Sequence, residues 1–245
     1  MPLSPEQVEH FHAQGYTVLS AVLPTERIAS YIALLDALVA RSTRMTVSAE
    51  GFHLAPDASG HPIPGRLHKV QGVCVIEPRL LALAREPAIL DAVQTLLGPE
   101  LEVFGTKFFP MREAGATSTG WHQDNFYFGT RTDRIVSCAI YLHGADTDNG
   151  CLRVLPGSHR SGEIVPHVAG QGVYAHGAWS EVDDSHAVDV VCPPGTAVLF
   201  SANLLHGARP NHSGRASYRT AWHYLPAGLP LDRFPQGVYE DRHRL

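Results

Sequence analysis

The sequence contains few of the features that mark membrane, secreted or nucleic-acid-binding proteins. No apolar run approaches the length of a bilayer span, and the first six residues have no basic region followed by an apolar block. The formal net charge is -5 without a long basic run, which argues against a nucleic-acid partner. The four cysteines include no C-x-x-C pair, which is typical of a reduced compartment. We therefore expect a cytoplasmic protein without a membrane or nucleic-acid partner; the sequence leaves its oligomeric state open.

The composition favours a β-rich globular fold. Among 245 residues, 44% are hydrophobic, 22 are Gly and 18 are Pro, which is typical of many short strands and turns. We expect a single domain over residues 1–245, since no internal repeat or composition change divides the chain. Its first 100 residues are predicted to be mainly helical and residues 101–245 mainly strand.

The N-terminal part shows two clear helices. Ser4-Pro5-Glu6 is a typical helix start, and Gly15 is expected to end that helix. A second helix is predicted from Pro24 and Thr25, and apolar residues at helical spacing predict one or two more between positions 78 and 97. These elements are interpreted as scaffold.

Residues 41–72 lack periodicity and contain several Gly and Pro residues, so they are predicted to form an irregular loop. The loop is interpreted either as a lid over a binding site or as a surface loop. Arg66, His68 and Lys69 lie within it, and they are the residues that would face an anionic substrate.

From Leu101 onward, short strands alternate with Gly- and Pro-rich turns. This pattern predicts a jelly roll of two sheets, with the N-terminal helices packed on one of them.

A candidate metal site begins at Trp121-His122-Gln123-Asp124. On a strand, residues two positions apart point to the same face, so His122 and Asp124 are expected to converge. They supply two members of the two-histidine, one-carboxylate set that holds non-haem Fe(II). Taken alone, the pair is better explained by an exposed histidine and a turn-capping aspartate. His206, after the predicted strand at 196–201, lies where a jelly roll can return a third ligand.

Arg215, Ser217 and Arg219 follow His206 with the same parity and are expected to line one face of the last strand. A guanidinium beside a hydroxyl suits a carboxylate. The alternative is that both arginines are solvated charges on an edge strand.

Taken together, the chain resembles the phytanoyl-CoA dioxygenase-like family of Fe(II)/2-oxoglutarate oxygenases over nearly its full length. The resemblance is strongest at Trp121 to Asp124, at Asn149 to His159, and at His206-Gly207 with Asn211 and Ser213. It implies a double-stranded β-helix in which His122, Asp124 and His206 bind Fe(II).

The resemblance also implies a co-substrate site. The family arginine that binds the 2-oxoglutarate carboxylate falls where this chain has Ser217. Arg215, which forms an R-x-S pair with Ser217, is therefore the first candidate, and Arg219 is the second. Lys107 is predicted to assist the co-substrate or to face the substrate.

The predicted function is oxidation, most simply hydroxylation, of a C–H bond in a small-molecule metabolite, with release of succinate and CO2 from 2-oxoglutarate and O2. An aspartate at position 124, where related halogenases have a small residue, favours hydroxylation, desaturation or ring closure. Two alternatives stay open: a jelly-roll metalloenzyme of Lewis-acid type, such as an isomerase, and a ligand-binding member of the fold without catalysis. The primary substrate is not indicated.

Overall fold

The computed structural model describes residues 2–57, 59–111, 119–169, 178–233 and 241–245. The helices are α1 (Pro5–Gln14), α2 (Thr25–Ser42), α3 (Val73–Ile76), α4 (Leu81–Ala84), α5 (Pro87–Leu97) and α6 (Asp124–Phe128), with short 3-10 turns at Pro78–Leu80 and Ser158–Ser161. The strands are β1 (Tyr16–Leu19), β2 (Phe52–Pro56), β3 (Pro62–Gln71), β4 (Leu101–Phe109), β5 (Thr119–His122), β6 (Val136–Tyr141), β7 (Leu152–Val154), β8 (Val168–Ala169), β9 (Ala178–Trp179), β10 (Val188–Val190), β11 (Thr196–Ser201), β12 (His206–Ala208), β13 (Arg219–Pro226) and β14 (Arg242–Arg244).

The predicted N-terminal helices are confirmed. The Ser4 hydroxyl accepts the backbone N–H of Gln7, whose side-chain oxygen accepts the Ser4 N–H, so α1 begins with a reciprocal capping box. Gly15 ends the helix with a φ of 88°, a conformation that favours glycine. A β-carbon at Gly15 would also lie 2.5 Å from the His159 ring, so this turn packs directly against the Pro156-Gly157-Ser158-His159 turn.

The predicted irregular loop at 41–72 is wrong. Its first two residues end α2, and β2 and β3 form an antiparallel hairpin that joins the edge of a larger sheet. Register shifts between His53 and Leu54 and between Leu54 and Pro56 break the two-residue alternation that a sequence pattern requires. Pro56 is tolerated because β2 is the outermost strand of the described sheet, and Pro62 and Pro64 lie in a part of β3 for which no pairing with β4 is described.

Two sheets form the β-rich half, as expected for a jelly roll. In the described residues the main sheet has the order β1-β11-β6-β13-β4-β3-β2, with β14 also paired to β4. The smaller sheet has the order β10-β7-β12-β5, and β8 pairs with β9 separately. The pairings that the structure describes are antiparallel.

The main sheet has two different faces. Its outer face packs on the N-terminal helices in an apolar core that includes Leu35, Leu80, Val93, Phe108 and Trp222. Its inner face turns towards the smaller sheet, and part of the space between the sheets is filled by a second apolar cluster that includes Tyr141, Val154 and Phe200. The rest of that space forms the candidate site. Among the described helices, none combines the length and apolarity that a bilayer crossing requires.

Candidate active site

Strand register brings the two candidate histidines together. In the smaller sheet β12 lies between β7 and β5, and His206 is the direct partner of His122. Their ring centroids are 4.1 Å apart. The expectation that the jelly roll returns His206 to the first site is confirmed by this geometry. Gly207 allows the close approach, because a β-carbon there would lie 2.8 Å from the carbonyl oxygen of Thr119 on β5.

Asp124 joins the histidines by a route that differs from the prediction. The strand β5 ends at His122, and Asp124 is the first residue of the short helix α6. Gln123 between them is extended, with φ -118° and ψ 130°, so His122 and Asp124 still converge on one side of the chain. The side chain of Gln123 fixes this link, since it donates to the carbonyls of Glu163 and Asn203 and accepts from the backbone of Val165.

The three side chains present ligand atoms to one point. The Nε2 atoms of His122 and His206 each lie 3.7 Å from an oxygen of Asp124, and the three ligand atoms lie within 4.8 Å of one another. Each histidine donates its Nδ1 proton to a backbone carbonyl, that of Gly120 for His122 and that of Leu204 for His206, which leaves both Nε2 lone pairs free. All three residues are buried. This donor set fits a divalent ion such as Fe(II).

Electrostatics favour the forms that bind metal. Burial, and then the neighbouring His206, lower the pKa of His122 to about 3, so its imidazole is neutral near pH 7. Burial alone would raise the pKa of Asp124, but His223, His206 and Lys107 outweigh it and hold the pKa below its ordinary value. The site therefore presents a carboxylate and at least one neutral imidazole without a proton to displace.

A chain of hydrogen bonds behind Asp124 fixes its orientation. The Ser137 hydroxyl donates to Asp124 Oδ2 over 2.6 Å, and Ser137 Oγ lies 2.9 Å from Nδ1 of His223. On the other side of that ring, Nε2 lies 2.9 Å from Nζ of Lys107. The single hydroxyl proton goes to the carboxylate, so His223 carries its proton on Nδ1 and accepts from Lys107 through Nε2.

The same chain keeps His223 neutral. Burial, and then Lys107, lower the pKa of this histidine to about 3. Asp124 is thus held by a directional series of donors that begins at Lys107, a residue lining the pocket. The sequence reasoning identified Lys107 but missed Ser137 and His223. His223 could have been found from the sequence, because it has the same parity as Arg219 on β13 and therefore points to the same face. Ser137 is brought to the site by the pairing of β6 with β13, which the sequence does not reveal.

The second end of the pocket contains a guanidinium that has no carboxylate partner among the described residues. Arg219 is 5% exposed, lies directly opposite Tyr141 in the sheet and stacks over Phe109 at 5.7 Å. One of its N–H groups donates to the carbonyl of Gly150. The Tyr141 hydroxyl, which is buried, has no hydrogen-bond partner in suitable geometry among the described residues. Burial raises the pKa of Tyr141 to about 12, so it stays a neutral donor. Together these groups suit a carboxylate.

The structure separates the two candidate arginines. The strand β13 begins at Arg219, so Arg215 and Ser217 precede it and do not line its face as predicted. Arg215 is 61% exposed and pairs with Asp146 over 2.6 Å, outside the pocket. Ser217 is buried, and its hydroxyl is 3.4 Å from the carbonyl of Gly144. The first preference, for Arg215, is therefore not supported by the geometry, which brings Arg219 to the pocket instead.

The pocket connects the candidate metal centre with this carboxylate end. It spans about 570 Å³, a volume that includes space open to solvent, and its lining includes Lys107, His122, Asp124, His206 and Arg219. The main sheet supplies Lys107 and Arg219, and the smaller sheet with α6 supplies the other three. The site thus lies between the two sheets.

Comparisons with known proteins agree with this architecture. A sequence model of the family described as phytanoyl-CoA dioxygenase (PhyH) matches residues 11–221. A probable alpha-ketoglutarate-dependent hypophosphite dioxygenase of Stutzerimonas stutzeri is 24% identical over 214 residues, covering 85% of this chain and 73% of its own length. The peroxisomal phytanoyl-CoA dioxygenase of Rattus norvegicus is 26% identical over 236 residues, covering 91% of this chain and 68% of its own.

Solved structures show the same fold. EctD from S. alaskensis, solved with 2-oxoglutarate and 5-hydroxyectoine, superposes with a TM-score of 0.72 at 20% identity, over 96% of this chain and 82% of its own. The epimerase SnoN, solved with Fe3+, alpha ketoglutarate and nogalamycin RO, superposes with a TM-score of 0.70 at 18% identity, over 95% of this chain and 86% of its own.

Proposed function

Because the chain belongs to the phytanoyl-CoA dioxygenase family, we propose that it is an Fe(II)/2-oxoglutarate-dependent oxygenase that oxidises a C–H bond of a small-molecule metabolite. Hydroxylation is the proposed outcome. The observation that carries the proposal is the convergence of three buried ligand atoms, from His122, Asp124 and His206, within 4.8 Å of one another. A relative named as a probable alpha-ketoglutarate-dependent dioxygenase supports it.

In this proposal His122, Asp124 and His206 would hold Fe(II). Bound Fe(II) with 2-oxoglutarate and O2 would supply the oxidising power for C–H cleavage, and the co-substrate would leave as succinate and CO2. The protein contributes position. Ser137 donates to Oδ2 of Asp124 and so fixes the carboxylate, whose Oδ1 lies 3.7 Å from Nε2 of His122 and whose Oδ2 lies 3.7 Å from Nε2 of His206. Three protein ligands leave coordination positions for other molecules.

We propose that Arg219, with the Tyr141 hydroxyl, binds the distal carboxylate of 2-oxoglutarate. Both groups are buried, and Arg219 has no carboxylate partner among the ion pairs of the described residues. An uncompensated buried guanidinium is costly, and a co-substrate carboxylate would compensate it. Lys107 would contribute a further positive charge between this end and the metal. Arg215 and Ser217 have no direct role in this proposal.

The type of oxidation is the less constrained part of the proposal. One structure of this fold is named as an epimerase, so the fold also carries other outcomes. Hydroxylation predicts one added oxygen from O2 in the product for each succinate, measurable by 18O2 labelling and mass spectrometry. A Lewis-acid metalloenzyme would release no succinate with any metabolite. A protein without catalytic function would bind its ligand equally well without metal.

The direct test of the metal site uses anaerobic protein with Fe(II) and 2-oxoglutarate. We expect a weak visible metal-to-ligand absorption band, which disappears in His206→Ala because one of three ligands is lost. Ile89→Val, a conservative change in the helix-side core and outside the pocket lining, is the folding control and should keep the band. Persistence of the band in His206→Ala would refute the ligand assignment.

Titration of the same band with 2-oxoglutarate tests the arginine. Arg219→Ala and Arg215→Ala remove the same charge, one inside the pocket and one at the surface. We expect Arg219→Ala to raise the half-saturating concentration roughly tenfold to a hundredfold, the usual loss for charge-assisted hydrogen bonds. Arg215→Ala should leave it unchanged. The reverse ranking would assign the carboxylate to Arg215.

A further inference from the structure

Lysine is rare in this chain: Lys107 lines the pocket, and Lys69 lies close enough to Lys107 for their charges to interact. Of the 19 basic residues only Lys69 and Lys107 are lysine; the rest are arginine. Strands β3 and β4 are paired so that Gln71 lies opposite Lys107 and Val70 lies opposite Phe108. Val70 and Phe108 belong to the helix-side core. Gln71 and Lys107 therefore point to the inner face, and Lys69, two residues before Gln71, points the same way.

The inner face of β3 carries two polar groups, the ammonium of Lys69 and the amide of Gln71, for which the described residues supply no acceptor. Nε2 of Gln71 is buried and makes no hydrogen bond to any described residue. Lys69 is largely buried, and its pKa falls from 10.5 to about 8 because of burial and the neighbouring Lys107. No acid of the described chain acts on Lys69 in the opposite direction. A buried ammonium and a buried amide without acceptors are both unfavourable unless a ligand supplies the acceptors.

These groups are separate from the guanidinium at the other end. In the main sheet Arg219 lies on β13 and Lys69 on β3, with β4 between them. Two strand spacings correspond to about 10 Å. Phe109 of β4, which pairs with Arg219, stands between the two positions. A 2-oxoglutarate molecule that chelates the metal and reaches Arg219 with its distal carboxylate would therefore not also reach Lys69. An anion bound at Lys69 must belong to a second molecule.

We propose that Lys69 and the side-chain amide of Gln71, beside Lys107, bind a carboxylate of the primary substrate. This deepens the proposed function and rests on it, because it assigns the substrate class of the same pocket: a metabolite that carries a carboxylate. The ammonium and the amide N–H supply two donors to the two carboxylate oxygens. The substrate would then lie along β4, between this anion site and the candidate metal centre, with Lys107 at its side.

The two lysines make a direct spectroscopic test possible. Metal-free full-length protein labelled with [13Cε]lysine has two lysine signals, and Lys69→Met leaves one, which assigns both. Benzoate is the probe, and benzamide is its uncharged counterpart. We expect benzoate to shift the Lys69 signal in a saturable manner and to move its pKa from about 8 back towards 10.5, because the bound carboxylate stabilises the ammonium. Benzamide and equimolar chloride should have no such effect.

Variants test which residues form the site and whether the substrate or the co-substrate supplies the bound carboxylate. Gln71→Leu should weaken benzoate binding, and Lys69→Met should weaken it roughly tenfold to a hundredfold when followed by the Lys107 signal. Arg134→Met, at an exposed position, removes one charge as the matched control and should change nothing. If 2-oxoglutarate saturates the Lys69 signal and Lys69→Met raises its half-saturation as Arg219→Ala does, the site serves the co-substrate and the proposal is overturned. An unshifted signal with benzoate also overturns it.

Failure of this proposal is distinct from failure of the proposed function. The Fe(II)/2-oxoglutarate band tests the metal centre and does not depend on Lys69. An intact band with no benzoate effect removes only the substrate class. A missing band with a saturable benzoate effect removes the oxygenase chemistry and leaves a carboxylate-binding pocket.

Discussion

Replacing Lys69 with methionine should make the protein more stable at neutral pH. Methionine has a similar length and no charge, so the substitution removes a largely buried ammonium from beside Lys107. A pKa lowered from 10.5 to about 8 corresponds to about 3 kcal/mol of unfavourable free energy for the charged form, and we take this as the upper limit of the gain at pH 7.

The pH dependence of that gain follows from linkage. The folded pKa lies below the unfolded one, so between pH 8 and 10.5 the unfolded chain binds more protons and the wild-type protein gains stability as pH rises. The unfavourable effect of Lys69 on the free energy of unfolding is absent above pH 10.5, where its side chain is neutral in both states. This effect grows as the pH falls towards 8. The difference between Lys69→Met and wild type should therefore be largest at pH 7 and shrink by about 1.4 kcal/mol per pH unit across this interval.

Urea unfolding of metal-free protein, monitored by tryptophan fluorescence at several pH values from 7 to 10.5, measures this difference. Lys69→Arg is the matched control: it keeps the charge at every pH and should be no more stable than wild type. The reasoning is refuted if Lys69→Met is less stable than wild type at pH 7, or if the difference does not vary with pH. Either result would mean that the ammonium already has a compensating partner.

Three further predictions concern the metal centre. Ser137→Ala should lower metal affinity roughly tenfold to a hundredfold, because the candidate carboxylate ligand Asp124 loses its hydrogen-bond donor. Competition with a chelator measures the affinity, and Ser137→Thr, which keeps the hydroxyl, should retain most of it. An unchanged affinity in Ser137→Ala would contradict the positioning role. Gly207→Ala should also lower metal affinity, since its β-carbon would lie 2.8 Å from the Thr119 carbonyl oxygen and push the two strands apart; wild-type affinity would contradict this. Metal-free protein should lose stability as pH falls below 6.5, because burial lowers the pKa of both His122 and His223 to about 3 and unfolded imidazoles take up protons first. Each histidine changes the equilibrium constant of unfolding by up to about tenfold per pH unit. Equal midpoints of urea unfolding at pH 7 and pH 5 would contradict this prediction.

The candidate metal centre could be predicted from the sequence because its residues have local signals. His122 and Asp124 are separated by one extended residue, so their side chains point to the same side. This holds within a strand and also, as observed, at the end of a strand. His206 was placed by topology and by family resemblance. The double-sheet fold was likewise predictable, since the strands from Leu101 onward alternate with turns.

Residue parity alone could not decide whether Arg215 or Arg219 lies in the pocket. Arg215 and Arg219 have the same parity, but only Arg219 lies in β13. The Asn211 amide donates to the carbonyls of Met111 and Arg215, which holds the preceding segment outside the sheet. The hairpin at 52–71 was missed for a related reason, since its order comes from bulged pairing and from contact with β4.

The pairing of His206 with His122 also determines when the site can exist during folding. The two residues lie on adjacent strands that are distant in sequence, and contacts of this kind form late because a long loop must close first. A partly folded chain therefore lacks the candidate metal centre, and an ion that bound both strands would stabilise only the completed fold. Redox-active iron would then be held only by chains whose sheets have already closed around it.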